Sequence, residues 1–529
     1  MDNIPVVKIR QGLAGKALDS NLILATESPN MLNVKKYGDY IGQRVGKTSY
    51  GSGVGLSMGY YHFLVGDTNR FMKFTTQAVY YRTSSGWENV TGTALAGNID
   101  NFVDACTVYD DNLGTFYVVF TNGVDTPRKF DGTNNTSALT NWTDWVGKSV
   151  RYYQGYLVLS HVIYGGTRYG FRFRCSHTDN PNDTTSSNSK TFNMTKDKNI
   201  SDIQRVEHFG NFLTFYKTDC IYGAWLGSTK NIFEFDVWVH NIGLRAERAL
   251  ATRDGEHFFL GYDGFYYWAN RSAYPVDVST RKVRKRLFED TDPDNLKRAV
   301  AIYDDRYNQI RLYVPDNEST YPSTVYVLDL NDEKWTWWKE GAGNITGIGK
   351  YRRDVIVTID DLEGTIDNLE GSIDSLSGAA VDNFPVILEG NNSGETFYDD
   401  STNYDDNTTA INSFYETGDD VFATEENPFN MERIQGLRIE ARGLQASGDR
   451  LYVYYSVDEG STWTTVTSGY NSDGTEWSDY IELSTSWDWY TADFDVVDYR
   501  VRYKIGNAIA DSTWQLRKLV KRGVEREVY

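Results

Sequence analysis

Val300–Trp338 reads VAIYDDRYNQIRLYVPDNESTYPSTVYVLDLNDEKWTWW. Four runs rich in β-branched and aromatic residues, Val300–Tyr303, Gln309–Val314, Thr324–Leu330 and Lys334–Trp338, fall within 39 residues. Polar turns such as Asp304-Asp305-Arg306 and Asn331-Asp332-Glu333 separate them. Short runs of this composition bounded by Asp, Asn and Pro predict a four-stranded antiparallel meander. The same shape recurs upstream. Tyr152–Val162 (YYQGYLVLSHV) hinges on Gln154-Gly155, Val206–Tyr216 (VEHFGNFLTFY) on Gly210-Asn211, and Ala249–Trp268 carries Asp254-Gly255 and Asp263-Gly264. Such dipeptides tolerate the positive φ of tight hairpin turns, so each marks a strand reversal.

Units of this kind begin near Gly59, Val103, Val150, Ile203, Ala249, Val300 and Ile345. A four-stranded unit at a period of roughly 40–50 residues is the signature of a β-propeller. The expected fold class is therefore all-β: a propeller of six to eight blades, seven favoured, followed by a C-terminal β-sandwich of jelly-roll kind. A stack of sandwiches is the rival, but no Pro-, Ser- or Gly-rich linker interrupts the units before residue 358. The expected division gives the propeller 57–407 and the sandwich 408–529, after a polar stretch at Asn391–Asn407. Residues 1–56 then complete the propeller or dock on a neighbour. In the last part, Gln435–Ala441, Arg450–Ser456, Ser461–Val466, Trp477–Leu483, Tyr499–Ile505 and Trp514–Lys521 read as strands at the regular spacing of a sandwich.

Composition narrows the function. In 529 residues there are 73 Asp and Glu against 53 Lys and Arg, a formal charge of -20, and 15% of residues are aromatic. The aromatic content argues for a packed core. The acidity argues against a protein that grips nucleic acid over its whole surface, since that needs cations on phosphates. The three cysteines, Cys106, Cys175 and Cys220, are widely spaced and form no C-x-x-C pair, so a reducing compartment is expected. The Met1–Pro5 start carries no basic and apolar leader pattern, and no window approaches the roughly 20 apolar residues of a membrane span. Asn89, Asn135 and Asn141 lie in N-x-[ST] triplets that read as loop chemistry.

Catalytic signatures are absent. The six histidines, among them His62, His177 and His240, share no metal-ligand spacing. There is no G-x-S-x-G elbow, no Walker loop and no dinucleotide fingerprint. No catalytic residue, cofactor or metal site is assigned. Three features remain. Arg281-Lys282-Val283-Arg284-Lys285-Arg286 concentrates five cations just before the acidic Glu289–Asp294. It suits a phosphate contact, a solvated connection, or docking on an acidic neighbour, and the three readings stay open. Thr358–Gly364, Thr365–Gly371 and Ser372–Gly378 repeat the heptad [T/S]-I-D-x-L-x-G, with carboxylates at Asp360, Asp367 and Asp374. A glycine in every heptad opposes a coiled coil, so an ordered loop is expected, with a gate or inter-subunit contact as its candidate role. Ser456-Val457-Asp458-Glu459-Gly460-Ser461-Thr462-Trp463 matches the Asp-box hairpin turn of sialidases. Ser456, Asp458, Gly460 and Trp463 are expected to build that turn structurally.

Ser28–Val34 with Gly42–Gly46, Gly166–Tyr169 with Phe171–Ser176 and Asn180–Asp183, Phe258–Tyr266, Thr324–Trp335 and the heptads themselves are short motifs. Together they resemble the β-propeller tail proteins of short-tailed double-stranded DNA bacteriophages. The sequence departs from that pattern at His177 and Thr178, and Thr184 stands where the family has Trp. The resemblance implies a virion structural protein made in the host cytoplasm: a tail nozzle or hub subunit in a homohexameric ring below the portal and adaptor, meeting tail fibre or spike proteins. Phage DNA would pass without specific binding, since a like-charged wall repels the duplex. Two alternatives stand beside it. A carbohydrate-binding receptor protein would use Trp335, Trp337 and Trp338, or Tyr266, Tyr267 and Trp268, as stacking platforms. A sialidase-like hydrolase would need an arginine cluster beside a buried Tyr–Glu pair.

Overall fold

The computed structural model describes residues 6–7, 12–13, 27–66, 68–196, 199–227, 232–279, 283–352, 384–421, 430–445, 447–522 and 525–528. Seven antiparallel sheets follow one another from Ser57 onward. Their first strands are Ser57–Val65, Asp104–Asp110, Ser149–Tyr153, Ile203–Phe209, Leu250–Arg253, Val300–Asp304 and Ile345–Tyr351. These begin within about four residues of the starts read from the sequence. The first strands of sheets one to four lie side by side in turn, as do those of sheets five to seven. His257 bonds His208 O between sheets four and five, and the first strand of the seventh returns against that of the first, so the sheets are the seven blades of a closed propeller.

The turns carry out the local chemistry expected of them. Gln154 and Gly155 take φ of 46° and 88°, Asp254 and Gly255 take 45° and 84°, and each pair closes a two-residue hairpin. At Gly155 a Cβ would also meet the Asp179 carboxylate at 2.5 Å. Each blade then buries one face against the next. Phe74 and Phe120 join blades one and two, Val108 and Leu159 blades two and three, and Phe173 and Phe215 blades three and four. Phe209 stacks on Trp268 with ring centroids 4.2 Å apart between blades four and five. Blades seven and one meet through an aromatic cluster of Tyr50, Tyr351, Phe71 and Trp87.

Blade seven is completed from the other end of the chain. Its sheet runs Ile345–Tyr351, Val386–Asn391, Thr396–Asp400 and then Gly46–Gly51. A buried ionic network fastens that last strand. Lys47 Nζ bonds Glu340 and Glu389, and Tyr313 donates to Glu389 at 2.5 Å. Arg44 forks onto Asp406 at 2.8 and 2.5 Å, and Arg311 meets Asp304 and, at 2.7 Å, Asp399.

Two further antiparallel sheets face each other to form the sandwich. Asn430–Arg442 is central to one, between Asp488–Asp498 and Gln515–Arg522; Arg500–Asn507 is central to the other, between Ser413–Glu416 and Arg450–Ser456. Both sheets recruit N-terminal strands. Val34–Tyr37 and Tyr40–Gln43 form a hairpin on Gln515–Leu516, and Met31–Leu32 pairs with Ser413–Glu416. The units therefore do not divide at one point in the chain. Their cores merge: Ile439, Leu519 and Tyr503 of the sandwich belong to one apolar cluster with Phe258, Leu312 and Trp335 of blades five and six.

Several sandwich strands, Ser413–Glu416, Ser468–Tyr470 and Asp488–Asp498 among them, were not among those read from the sequence. Asp488–Asp498 (DWYTADFDVVD) has the carboxylate content of a loop. It is a strand because Tyr490 and Ala492 alternate into the core, while Asp493 and Asp495 face outward onto Arg522 and Arg433 at 2.6 and 2.5 Å. Among the described residues, no helix is long and apolar enough to cross a membrane.

Candidate functional site

The first strands of all seven blades surround an axial cavity of about 540 Å³, a volume in the small-molecule range. Its polar groups come from the outset of those strands and the residues just before them. Arg151 of blade three bonds Asp104 of blade two at 2.8 Å and Glu207 of blade four at 2.6 Å, and Arg205 joins Glu207 at 3.0 Å. Burial alone would raise the Glu207 carboxyl, but Arg151 and Arg205 outweigh it and hold the group well below the usual carboxylate range. Lys148 meets Glu247 at 3.3 Å, and burial pushes the Glu247 carboxyl up.

Some of these contacts join blades that are not neighbours. Asp100, ahead of blade two, bonds Lys297 at 3.0 Å and Arg298 at 2.7 Å, both ahead of blade six. Lys148 and Glu247 precede blades three and five. The Arg248 guanidinium, ahead of blade five, lies 3.5 Å from the Phe102 ring centroid ahead of blade two and donates to Thr346 O of blade seven at 2.7 Å. Burial lowers Arg248 to about 9. Contacts between non-adjacent blades must pass across the axis, so this end of the channel is bridged. The three carboxylates that line the cavity, Asp104, Glu207 and Glu247, are each engaged by a cation.

The described residues among those singled out from the sequence lie elsewhere. Arg284–Glu289 is a short helix with Leu287 buried. Arg284 faces Asp277 at 3.5 Å, Lys285 faces Glu289 at 3.9 Å, and Arg286 packs over the Trp337 ring at 4.7 Å while bonding Asn30 Oδ1 at 3.4 Å. Arg281 and Lys282 lie outside the described residues, as do Asp360, Asp367 and Asp374 of the heptads. In the sandwich, Ser456 donates to Asp458 at 2.7 Å, and Asp458 accepts the Thr462 amide at 2.8 Å and the Thr462 hydroxyl at 2.6 Å. Those bonds hold the Asp458 carboxyl down at about 2. Gly460 has φ of 86°, its amide donates to Ser456 Oγ, and Trp463 lies half-buried beside it. This is a hairpin turn between Arg450–Ser456 and Thr464–Thr465.

The proposed stacking platforms are part of the core. Trp335, Trp338, Tyr266 and Trp268 are 7% exposed or less, and Trp337 and Tyr267 pack against the apolar cluster that contains Trp335. Strand alternation alone gives no sign of which face meets a neighbouring blade. The axial residues escaped the sequence reading for a related reason: Arg151, Glu207 and Arg248 are ordinary polar positions in or beside strands until the ring closes. Among the described residues, no group of three or more His, Cys, Asp or Glu is placed to hold a metal ion.

The architecture is that of a seven-bladed β-propeller interlocked with a β-sandwich. No protein-family model matches the chain, and no curated protein sequence does. Among solved structures it is similar to the exo-β-1,3-galactanase of Phanerochaete chrysosporium determined with galactose, at 9% identity over 90% of this chain and 100% of that one, with a TM-score of 0.27. It is also similar to the Pan2 WD40 domain of Neurospora crassa, at 8% identity over 69% of this chain and 96% of that one, with a TM-score of 0.37. The blade assignment rests on the sheets themselves.

Proposed function

We propose that this protein is a structural subunit of a bacteriophage tail, a nozzle or hub that assembles with copies of itself below the portal and adaptor. The observation that carries the reading is the bridged axis. Ion pairs and a cation–π contact between non-adjacent blades stiffen the propeller from within, and Arg151, Arg205 and Lys148 engage the cavity carboxylates that acid–base hydrolysis would need. A wall of such subunits transmits force without chemistry. The closing strand and the merged core bind propeller and sandwich into one body, which suits a part loaded by DNA under pressure. The charge of -20 suits a lumen that repels the duplex. Because each subunit's own axis is bridged, the conduit in this reading lies between copies.

Native mass spectrometry with negative-stain imaging tests it. A ring of about six copies with a central opening, alone or on a portal–adaptor complex, is the expected result. A monomer that also fails to bind that complex overturns the proposal, and turnover of a fluorogenic sialoside would replace it with the hydrolase reading.

A further inference from the structure

A second cavity, of about 560 Å³, opens where blade three meets the loops that follow blade two. It differs from the axial cavity in one respect: several of its polar groups are left over. Trp145 and Tyr164 stand opposite each other on antiparallel strands, with ring centroids 4.2 Å apart and planes 33° from parallel. Tyr164 is 43% exposed. The Arg174 guanidinium lies 4.6 Å from the Trp145 ring centroid and is pinned by Thr191 Oγ1 at 2.7 Å and Ser189 Oγ at 2.8 Å. The aromatic pair is thus held by a fixed cation while the tyrosine ring meets solvent.

A carboxylate and a guanidinium line the same cavity. Arg172 is aimed by one bond, Nε to Asn193 Oδ1 at 2.8 Å, with its plane against the Tyr169 ring at 3.7 Å. Its terminal nitrogens, the Asp144 carboxylate and the Tyr164 hydroxyl have no hydrogen-bond partner among the described residues.

We propose that this pocket binds a saccharide of one or two rings. A sugar offers an apolar C–H face to stack on an aromatic ring and adjacent hydroxyls that both donate and accept. The exposed Tyr164 ring meets the first requirement. Asp144 as acceptor and the Arg172 fork as donor meet the second. A phosphate-bearing ligand is disfavoured by Asp144 and by the net charge of -20. The inference rests on blade three and the loop that leads into it, and holds whether or not the chain assembles into a tail; in a tail it would give the subunit a receptor-facing contact.

The test is a printed array of bacterial and eukaryotic glycans probed with the full-length protein, with isothermal titration of the strongest hit. Saturable binding is expected, weakened roughly tenfold or more by Tyr164→Ala and by Asp144→Asn. Tyr164→Phe, which keeps the ring, is expected to stay within about threefold of the parent. Tyr274→Ala, at a 54% exposed tyrosine of blade five, is expected to leave binding unchanged. Unchanged melting temperatures separate loss of contact from loss of fold; should Tyr164→Ala melt early, Asp144→Asn decides. Absence of saturable binding by the parent protein to any glycan on the array overturns the proposal, as does parental affinity in the stable variants.

Discussion

His257 and His161 show how residue chemistry is settled by partners. His257 is fully buried, with Tyr216 Oη 2.6 Å from Nδ1 and His208 O 2.7 Å from Nε2. The carbonyl can only accept, so Nε2 carries the proton, and Nδ1 accepts from the tyrosine. His161 has the opposite tautomer: Nδ1 donates to Ile203 O at 2.9 Å, and Nε2 accepts from Arg168 Nε at 3.2 Å. Both sites are complete with a neutral ring, and burial pulls both down to about 4 from the usual 6.5. The folded value lies below the unfolded one, so their contribution to stability is present above about pH 6.5 and lost as pH falls through about 4. Ring-proton NMR titration is expected to find both imidazoles neutral at pH 6; a midpoint near 6.5 for either would contradict the assigned bonding.

At the scale of elements, Gly46–Gly51 matters most, because it completes blade seven from ahead of blade one and it carries Lys47. Both carboxylates facing Lys47 are buried with it, at 1% and 2% side-chain exposure. Lys47→Met would leave Glu340 and Glu389 without their shared cation while keeping the strand's backbone ladder. Breaking a buried pair from one side costs about 3–5 kcal/mol. Chemical denaturation is expected to show a loss of that order, with faster amide exchange along Thr396–Asp400, whose partner strand is loosened. A loss below about 1 kcal/mol would mean that the network is solvated and the strand held by its ladder alone.

For the whole molecule, the merged core makes propeller and sandwich one cooperative unit. The apolar cluster is continuous from Phe258 and Trp335 to Leu519, and N-terminal strands are shared between blade seven and both sandwich sheets. Calorimetry is expected to give a single unfolding transition. Two well-separated transitions would show that the shared strands couple the units only weakly. The bridged axis should keep the seven blades from opening singly, because Asp100, Arg248 and Glu247 each tie blades across the ring.

What the sequence determined by itself is the repeat: a hairpin turn is a local event, and residues such as Gln154-Gly155 and Asp254-Gly255 specify it without help from distant chain. The starts of the units and their four-stranded form follow from side-chain alternation and turn chemistry, as does the hairpin around Asp458, whereas the count of seven among six to eight came from the closed ring. The Asp488–Asp498 strand was hidden because its outward aspartates read as a loop until Arg433 and Arg522 supply their partners. Only the tertiary structure decided that Gly46–Gly51 finishes a blade begun some 300 residues later, that Trp335 and Trp268 are core, and that Tyr164 is left facing solvent beside Asp144 and Arg172. These outcomes depend on which faces and edges meet when the ring closes, and a period-two pattern offers either face of a strand equally until a neighbouring blade covers one of them.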